Sequence, residues 1–430
     1  MQPRARQSLA LALWLAACIS ATCQTAASLH TQQTTLTFEA GVEAPRLRSM
    51  QGRDQEPWIN LAREMPVSFV LVNGKHLPLH WRFNAAESVI TRNRVVFVYK
   101  SESPKLRLTW EWIAPSASGP IEHQIHIANL SASEIWIPLQ DSFRFNFKVD
   151  EHSSLKQLYI DKGAGRPTDT GTHEVAVTPG YRWQGLSSTY AEDGGTREII
   201  PWFMVGRSNS DAGWHAGVEF SGRVSMTLER NKTSLAGVVG LNPEPEGFRT
   251  RLLPKQRFDT PKVFVGAFTE GEDGAGNILR PWIREALMNP VTWSNPSYPL
   301  VVNNSWGSGM AVNEALAKQM IRDSAELGLE MFHIDAGWFR GVGDWRPDPQ
   351  KFPHGLAPIA DDAHGHGLKF GIWVDWTQAA LDTEPGALNV RDPNVHDWTV
   401  SDLPPDWKPE PFKGQTIDIG VSAAHDYAQR

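Results

Sequence analysis

Cysteine is nearly absent from this sequence. The 430 residues include two cysteines, Cys18 and Cys23, and both lie near the N-terminus. The rest of the chain therefore has no cysteine from which a disulfide framework or a thiolate metal site could be built. A chain of this length can bury a core that is large enough to be stable without such cross-links.

Long apolar runs are also missing. The apolar run near the N-terminus covers residues 9–17, well below the roughly 18 to 20 residues that span a bilayer, and no later segment is apolar enough to cross one. A basic start at Arg4 and Arg6 followed by a short apolar run is typical of an export signal. We assign residues 1–27 to this signal and predict a protein without a transmembrane span.

The end of the export signal can be read in two ways. Leu15-Ala16-Ala17-Cys18 is similar to a bacterial lipobox, in which Cys18 is lipidated after cleavage. The alternative is ordinary cleavage near Cys23 or Ala27. We therefore expect an exported protein that is periplasmic, extracellular or lipid-anchored.

Positive charge is in slight deficit. The 41 Lys and Arg residues against 48 Asp and Glu residues give a formal net charge of -7, which argues against nucleic acid as a partner. Tyrosine is scarce, with 6 copies, whereas tryptophan is abundant, with 18. Most of these tryptophans are expected in the core, but their excess also favours an aromatic-lined carbohydrate site.

Short β-branched and aromatic runs separated by turn residues dominate residues 30–260, and long helical periodicity is absent there. Clear examples of such runs are residues 94–99 and 106–112. Asn73-Gly74 predicts a hairpin turn. A second hairpin is predicted around Ser221-Gly222-Arg223. This pattern favours an antiparallel β-sandwich.

Strands and helices alternate after residue 298. A linker over residues 261–298 contains a predicted helix at 275–288, which Asn289-Pro290 would end. The alternating elements are predicted strands at 300–304, 329–335 and 368–374, with predicted helices at 313–327 and 356–366. This order predicts parallel strands with right-handed crossovers, in a doubly wound sheet or a barrel. A nucleotide-binding fold is disfavoured because no Gly-rich phosphate loop follows the first strand.

The strand at 329–335 ends in a group of residues suited to chemistry. Asp335 is followed by Gly337 and Trp338, and strand ends are where barrel enzymes carry their sites. A carboxylate can accept hydrogen bonds from sugar hydroxyls, and a tryptophan offers a broad apolar face. An ordinary Asp-Gly turn is the alternative. The histidines of His364-Gly365-His366 are better explained by a solvated helix end than by a metal site.

Five ordered motifs resemble the α-galactosidases of glycoside hydrolase clan D, family thirty-six. They are Asn304-Ser305-Trp306, Asp335-Ala336-Gly337-Trp338-Phe339, Gly343-Asp344-Trp345, Lys351-Phe352-Pro353-His354-Gly355-Leu356 and Gly367-Leu368-Lys369-Phe370-Gly371-Ile372-Trp373. Weaker similarity covers residues 214–225 and 416–420. The resemblance implies a β plus α/β multidomain fold, in which an N-terminal antiparallel β-supersandwich precedes the first part of a (β/α)8 barrel at residues 299–430.

The resemblance also implies a set of substrate-binding residues. In the family, two adjacent carboxylates after the second strand bind the galactose O4 and O6 hydroxyls. Here Asp335 takes the first position and Ala336 replaces the second, which puts the standard galactose pocket in doubt. The residues that we assign to substrate binding are Asp335, Trp306, Trp373, Trp338, Asp375 and Trp345. No metal and no cofactor is implied.

The catalytic carboxylates themselves are not found in the sequence. A retaining glycosidase uses two carboxyl groups about 5 to 5.5 Å apart, and the family nucleophile lies in a Lys-x-Asp segment. No such segment follows Gly420. We therefore expect the nucleophile and the acid/base beyond residue 430, and a truncated chain that is inactive by itself.

The functional hypothesis is retaining hydrolysis of terminal α-D-galactosides, with a galactoside oligosaccharide as substrate. A related α-glycosidase, such as an α-N-acetylgalactosaminidase, is the first alternative because Ala336 could alter what the pocket accepts. An inactive or carbohydrate-binding homologue is the second. Homo-oligomerisation and lipidation stay open.

Overall fold

The computed structural model describes residues 25–161, 171–187, 199–242, 248–380, 392–393, 395–399 and 414–429. The predicted export signal and the lipobox at Cys18 lie outside these residues. The chain divides into two compact units, Met1–Pro290 and Val291–Arg430. Within the described part, no helix is both long and apolar enough to cross a membrane.

The first unit is made mostly of strands, as its short β-branched and aromatic runs predict. The strands are β1 (Thr25–His30), β2 (Thr34–Ala40), β3 (Pro45–Gly52), β4 (Trp58–Ile59), β5 (Phe69–Val72), β6 (Lys75–Pro78), β7 (Arg82–Phe83), β8 (Val89–Ile90), β9 (Arg94–Glu102), β10 (Lys105–Ile113), β11 (Ile121–Asn129), β12 (Ile135–Pro138), β13 (Phe143–Lys148), β14 (Leu155–Asp161), β15 (Thr172–Val177), β16 (Arg182–Leu186), β17 (Ile199–Arg207), β18 (Gly213–Glu219), β19 (Val224–Arg230), β20 (Ser234–Leu241), β21 (Arg249–Leu252), β22 (Arg257–Asp259) and β23 (Lys262–Phe268).

Four antiparallel sheets are formed by these strands among the described residues. The largest has eleven strands in the order β15-β14-β17-β18-β23-β11-β10-β9-β7, with β22 paired to β11 and β8 paired to β9. The other three have the orders β1-β2-β3-β4, β21-β12-β5-β6 and β13-β20-β19-β16. Alternation along β10 shows why the sheets stack: Leu106, Leu108, Trp110 and Trp112 are all buried, while their neighbours are partly exposed.

One of the two predicted hairpins is confirmed and the other is wrong. β5 and β6 pair across Asn73-Gly74. By contrast, β18 pairs with β17 and β23, whereas β19 pairs with β16 and β20, so residues 221–223 connect two different sheets. The local Ser-Gly signal marks a turn, but it does not determine which strands pair across it. β18 is a central strand that is buried over nearly its whole length.

The linker helix starts earlier and ends differently than predicted. α1 covers Gly271–Trp282, a π-helical turn covers Ile283–Leu287, and α2 covers Pro290–Ser294. Pro281 lies inside α1 and has no N–H to donate to the helical ladder. The change to π-helical spacing directly after it is consistent with that missing hydrogen bond.

A carboxyl group and an imidazole are both buried in the first unit. Nε2 of His123 lies 4.0 Å from Oε2 of Glu64, and the Trp110 indole donates to the same oxygen at 3.2 Å. Nδ1 of His123 lies 2.7 Å from the carbonyl oxygen of Glu111. Burial raises the pKa of Glu64 to about 8 and lowers the pKa of His123 to about 3. Both groups are therefore neutral near neutral pH.

The contribution of this pair to stability is largest in mildly acidic solution. Folded Glu64 holds its proton between pH 4.5 and about 8, where the unfolded chain has released it, so stability falls as the pH rises towards 8. Folded His123 stays neutral between about 3 and 6.5, so stability falls as the pH drops towards 3. The two effects oppose each other from 4.5 to 6.5.

Replacing Glu64 with glutamine should remove the alkaline decline, which we expect to be on the order of 1 kcal/mol per pH unit. Urea unfolding followed by tryptophan fluorescence at several pH values measures it. The exposed Glu102→Gln variant is the control and should keep the wild-type profile. An unchanged slope in Glu64→Gln would contradict the assignment.

The second unit contains a parallel sheet with helices between its strands. Its elements are β24 (Val302–Asn304), α3 (Glu314–Glu326), β25 (Met331–Ile334), β26 (Phe339–Gly341), β27 (Asp344–Pro347), α4 (Ala357–Gly365), β28 (Lys369–Ile372), β29 (Gln378–Ala380), β30 (Gly414–Thr416) and α5 (Ser422–Ala428), with 3₁₀ turns at Ser305–Ala311 and His396–Trp398. β24, β25 and β28 are parallel neighbours in that order. The predicted parallel strands are confirmed.

The sequence of β25 determines which face of the sheet the helices cover. Phe332 and Ile334 are fully buried in one apolar cluster with Ile321 of α3 and Ile359 of α4. Because side chains alternate along a strand, His333 lies on the opposite face. The next residue on that face is Asp335, the first residue beyond the strand.

Candidate functional site

The carboxyl ends of the three parallel strands bring together residues from distant parts of the sequence. β24 ends at Asn304, which lies opposite His333 of β25, and His333 in turn lies opposite Gly371 of β28. Asp335 and Trp373 follow directly after β25 and β28. The strand-end placement that the sequence predicts for Asp335, Trp306 and Trp373 is therefore observed.

Hydrogen bonds hold the Asp335 carboxylate in one orientation. Oδ2 accepts from the Asn304 amide at 2.9 Å, and Oδ1 accepts from the Ala336 backbone N–H at 2.7 Å. The backbone N–H of Asp335 donates to the buried Ser305 hydroxyl at 2.9 Å. The side chain retains 16% exposure. A carboxylate has about four acceptor positions, so two remain for the hydroxyls of a ligand.

Four aromatic rings lie side by side next to these strand ends. The Phe339 ring stacks on Trp373 with centroids 5.8 Å apart, and Trp345 meets Phe339 edge-on at 4.9 Å. Trp338 is 3% exposed, and its indole N–H donates to the Trp373 carbonyl at 2.8 Å. Trp373 and Trp345 are half-buried. Trp338 also contacts Phe339 edge-on, with ring centroids 5.6 Å apart. The assignment of all three tryptophans to substrate binding stays a prediction.

Trp306 is the most exposed of the predicted aromatic residues. The residue is 48% exposed, and its backbone N–H donates a hydrogen bond to Oδ1 of Asn304 at 2.7 Å. The turn at Ser305–Ala311 begins there. Trp306 is therefore connected through Asn304 to the Asp335 carboxylate.

The predicted carboxylate of Asp375 is used mainly within its own turn. Oδ1 accepts from the backbone N–H of Thr377 at 3.2 Å and from the Thr377 hydroxyl, while Oδ2 accepts from the Gln378 amide at 2.7 Å. These contacts describe a local turn that ends the segment after β28. Its role in substrate binding stays a prediction.

The Asp344 carboxylate forms an ion pair with Arg346. It is buried and pairs with Arg346 through both oxygens, at 2.6 and 2.7 Å. The hydrogen bonds from Arg346 lower the pKa of Asp344 below its usual range. Nε of Arg340 on β26 also lies 3.7 Å from Oδ2 of Asp344, so this carboxylate links the two strands of the β26–β27 hairpin. At the end of α4, His364 and His366 are exposed.

Sequence reasoning missed the roles of Asn304, Ser305 and His333. The first two stand inside a motif that drew attention to Trp306 alone. For His333 the signal was available, because residues two apart on a strand share a face and Asp335 is two positions further on.

A separate cavity of about 600 Å³ lies within the first unit and was not predicted. Arg53, Glu56, Trp58 and Arg207 are among its lining residues. The Arg207 guanidinium lies 5.1 Å from the Trp58 ring centre, and Trp58 is only 3% exposed. The tryptophan therefore presents no open face to a sugar, and the site of interest remains at the strand ends of the second unit.

Comparison with known proteins finds similarity to α-galactosidases. The Melibiase family model matches residues 257–400. Alpha-galactosidase Mel36A of Lactobacillus acidophilus is 32% identical over 242 residues, which are 53% of this chain and 33% of that protein. Alpha-galactosidase 1 of Pediococcus pentosaceus is 32% identical over 173 residues, which are 38% of this chain and 23% of that protein.

Solved structures share the fold. The GH36 α-galactosidase AgaA of Geobacillus stearothermophilus superposes with a TM-score of 0.75 at 16% identity, covering 94% of this chain and 62% of that one. The α-galactosidase of Lactobacillus brevis gives 0.74 at 18% identity, covering 94% and 61%. The chain thus spans about three fifths of these structures and a third or less of the two curated relatives.

This chain is a homologue of glycoside hydrolases. The Melibiase match and the α-galactosidase relatives confirm the predicted resemblance, which covers the N-terminal part of the GH36 fold.

Proposed function

We propose that this chain supplies the sugar-recognition part of a retaining α-galactosidase that acts on terminal α-D-galactosides. Its two units correspond in this proposal to a β-supersandwich and to the first part of a (β/α)8 barrel. The observation that carries the proposal is the Asp335 carboxylate, which is oriented by Asn304 and Ala336 and lies at the carboxyl end of a parallel strand.

The neighbouring groups are those that a sugar site uses. Trp306 and Trp373 follow the carboxyl ends of β24 and β28, and Asp335, which can accept two further hydrogen bonds, follows the strand between them. Tryptophan at such a position supplies the apolar ring surface that a sugar site uses. A variant of the Geobacillus stearothermophilus enzyme has been solved in complex with raffinose, an oligosaccharide. Raffinose is therefore the first ligand to test on this chain.

Calorimetric titration of the 430-residue protein with raffinose tests the proposal, and we expect saturable binding. Lack of raffinose binding would contradict the proposal.

Galactose and N-acetylgalactosamine titrations separate the proposed specificity from its first alternative. Position 336 carries alanine, which has no carboxylate to offer a ligand. Its side chain is 1% exposed and belongs to the apolar cluster that contains Phe332 and Ile334. Tighter binding of N-acetylgalactosamine than of galactose would favour the α-N-acetylgalactosaminidase alternative. Export from the cell remains a separate proposal, and cell fractionation tests it.

A further inference from the structure

The orientation of the Asn304 amide is determined by its surroundings. Its Oδ1 faces the backbone N–H of Trp306 at 2.7 Å, and a backbone N–H can only donate. Oδ1 is therefore the acceptor there, and the amide nitrogen lies on the other side. That nitrogen contacts both Nδ1 of His333, at 3.0 Å, and Oδ2 of Asp335, at 2.9 Å.

This geometry determines where His333 carries its proton. The Asn304 amide nitrogen has two hydrogens, one for each of its two contacts. Nδ1 of His333 must therefore accept, which requires the neutral ring with its proton on Nε2. A protonated His333 would place an N–H against the amide N–H, and turning the amide around would place its NH₂ group against the Trp306 N–H.

The imidazole ring also has a position prepared for it in the sheet. Gly371 lies opposite His333 in the parallel register. A Cβ atom at Gly371 would lie 2.7 Å from Cδ2 of His333 and 2.0 Å from Cε of Met331. The absence of a side chain at Gly371 therefore leaves room for the ring beside Asn304.

We propose that His333 is a positioning residue for sugar recognition: its unprotonated Nδ1 fixes the Asn304 amide, which in turn holds the Asp335 carboxylate towards the ligand. The inference rests on the proposed function and adds a residue that positions its carboxylate.

Two substitutions at position 333 separate hydrogen bonding from packing. His333→Asn keeps an acceptor near the position of Nδ1, whereas His333→Leu keeps bulk without one. By raffinose titration near pH 8, we expect His333→Leu to bind about tenfold more weakly, in line with the loss of a hydrogen bond that orients a charged group. His333→Asn should stay within about twofold of the wild type.

Rescue by the conservative variant provides the readout that packing alone would not change: His333→Asn should bind raffinose more tightly than His333→Leu. The matched control is His364→Leu at the exposed end of α4, which should behave like the wild type. Equal binding by His333→Leu and wild type, or equal weakening in both variants, would overturn the proposal.

Nitrogen NMR tests the hydrogen-bond arrangement without any ligand. The His333 signal is assigned in ¹⁵N-histidine protein by its loss in His333→Asn, and its shifts report which nitrogen carries the proton. The Nε2–H form is expected at neutral pH. The Nδ1–H form overturns the positioning role whether or not raffinose binds. Failure of the wild type to bind raffinose, by contrast, overturns the proposed function.

Discussion

Replacing Asp335 with asparagine should weaken raffinose binding on the order of a hundredfold. The carboxylate is surrounded by donors on both oxygens, the Asn304 amide on Oδ2 and the Ala336 N–H on Oδ1. An asparagine side chain has one acceptor oxygen and one NH₂ group, so one donor would face another donor. The substitution therefore loses the charge and also disturbs the orientation of the group.

Titration calorimetry at neutral pH measures this effect on the full 430-residue protein. Asp361→Asn is the matched control, because Asp361 is exposed on α4, which packs against the face of the sheet opposite to Asp335. Its affinity should equal that of the wild type. If Asp335→Asn binds raffinose as tightly as the control, the carboxylate has no part in recognition and the proposed site is wrong.

Local rules predicted the second unit well because its elements are determined by neighbouring residues. Asn313 accepts from the Leu316 N–H at 3.0 Å and begins α3 as predicted, and Gly328 follows the end of that helix with φ 72°. The parallel order follows from alternating strands and helices. Asp335 was found because a strand end is visible in the apolar pattern before it.

Pairing between distant strands could not be predicted in the same way. The Ser221-Gly222-Arg223 turn has the composition of a hairpin, yet β18 and β19 enter different sheets. β18 pairs along its two edges with the preceding strand β17 and with β23, about forty residues further along the chain, so neither edge is left for β19. Which strands pair in a buried sheet depends on the packing of the whole core and not on the turn between two neighbouring strands.

Side-chain orientation limited the prediction of the site. Trp338 and Asp375 have the residue types of a sugar site; Trp338 is 3% exposed, Asp375 accepts hydrogen bonds within its own turn, and their roles in substrate binding stay predictions. Neither feature follows from sequence spacing alone. His333 and Asn304 were overlooked for the converse reason: their importance comes from a mutual hydrogen bond across 29 positions of sequence.

Gly337 is expected to be the most sensitive position of the second unit to a small substitution. Its φ is 109°, and a Cβ atom there would lie 2.9 Å from both Cα and the carbonyl oxygen of Met310. Backbone atoms cannot move aside as a flexible side chain can. Gly337→Ala should therefore destabilise the second unit by about 3 kcal/mol, from backbone strain and overpacking together.

Gly328→Ala is the control that isolates the close approach. Gly328 also has a positive φ, 72°, but nothing lies within 4 Å of a Cβ atom built there. We expect a loss of about 1 kcal/mol from the left-handed conformation alone. Urea unfolding of both variants, followed by tryptophan fluorescence, measures the difference. Equal losses would show that the contact with Met310 is unimportant.

The effect of Gly337→Ala should also extend to ligand binding. The Lys351 ammonium donates to the carbonyl oxygens of Met310 and Gly337, at 2.8 and 2.9 Å, and so ties the two segments together. The Met310 segment begins at Ser305, whose hydroxyl accepts from the backbone N–H of Asp335. Displacing that segment moves a group that positions the carboxylate. Raffinose affinity should therefore fall in Gly337→Ala while it stays unchanged in Gly328→Ala, because Gly328 lies at the opposite end of β25.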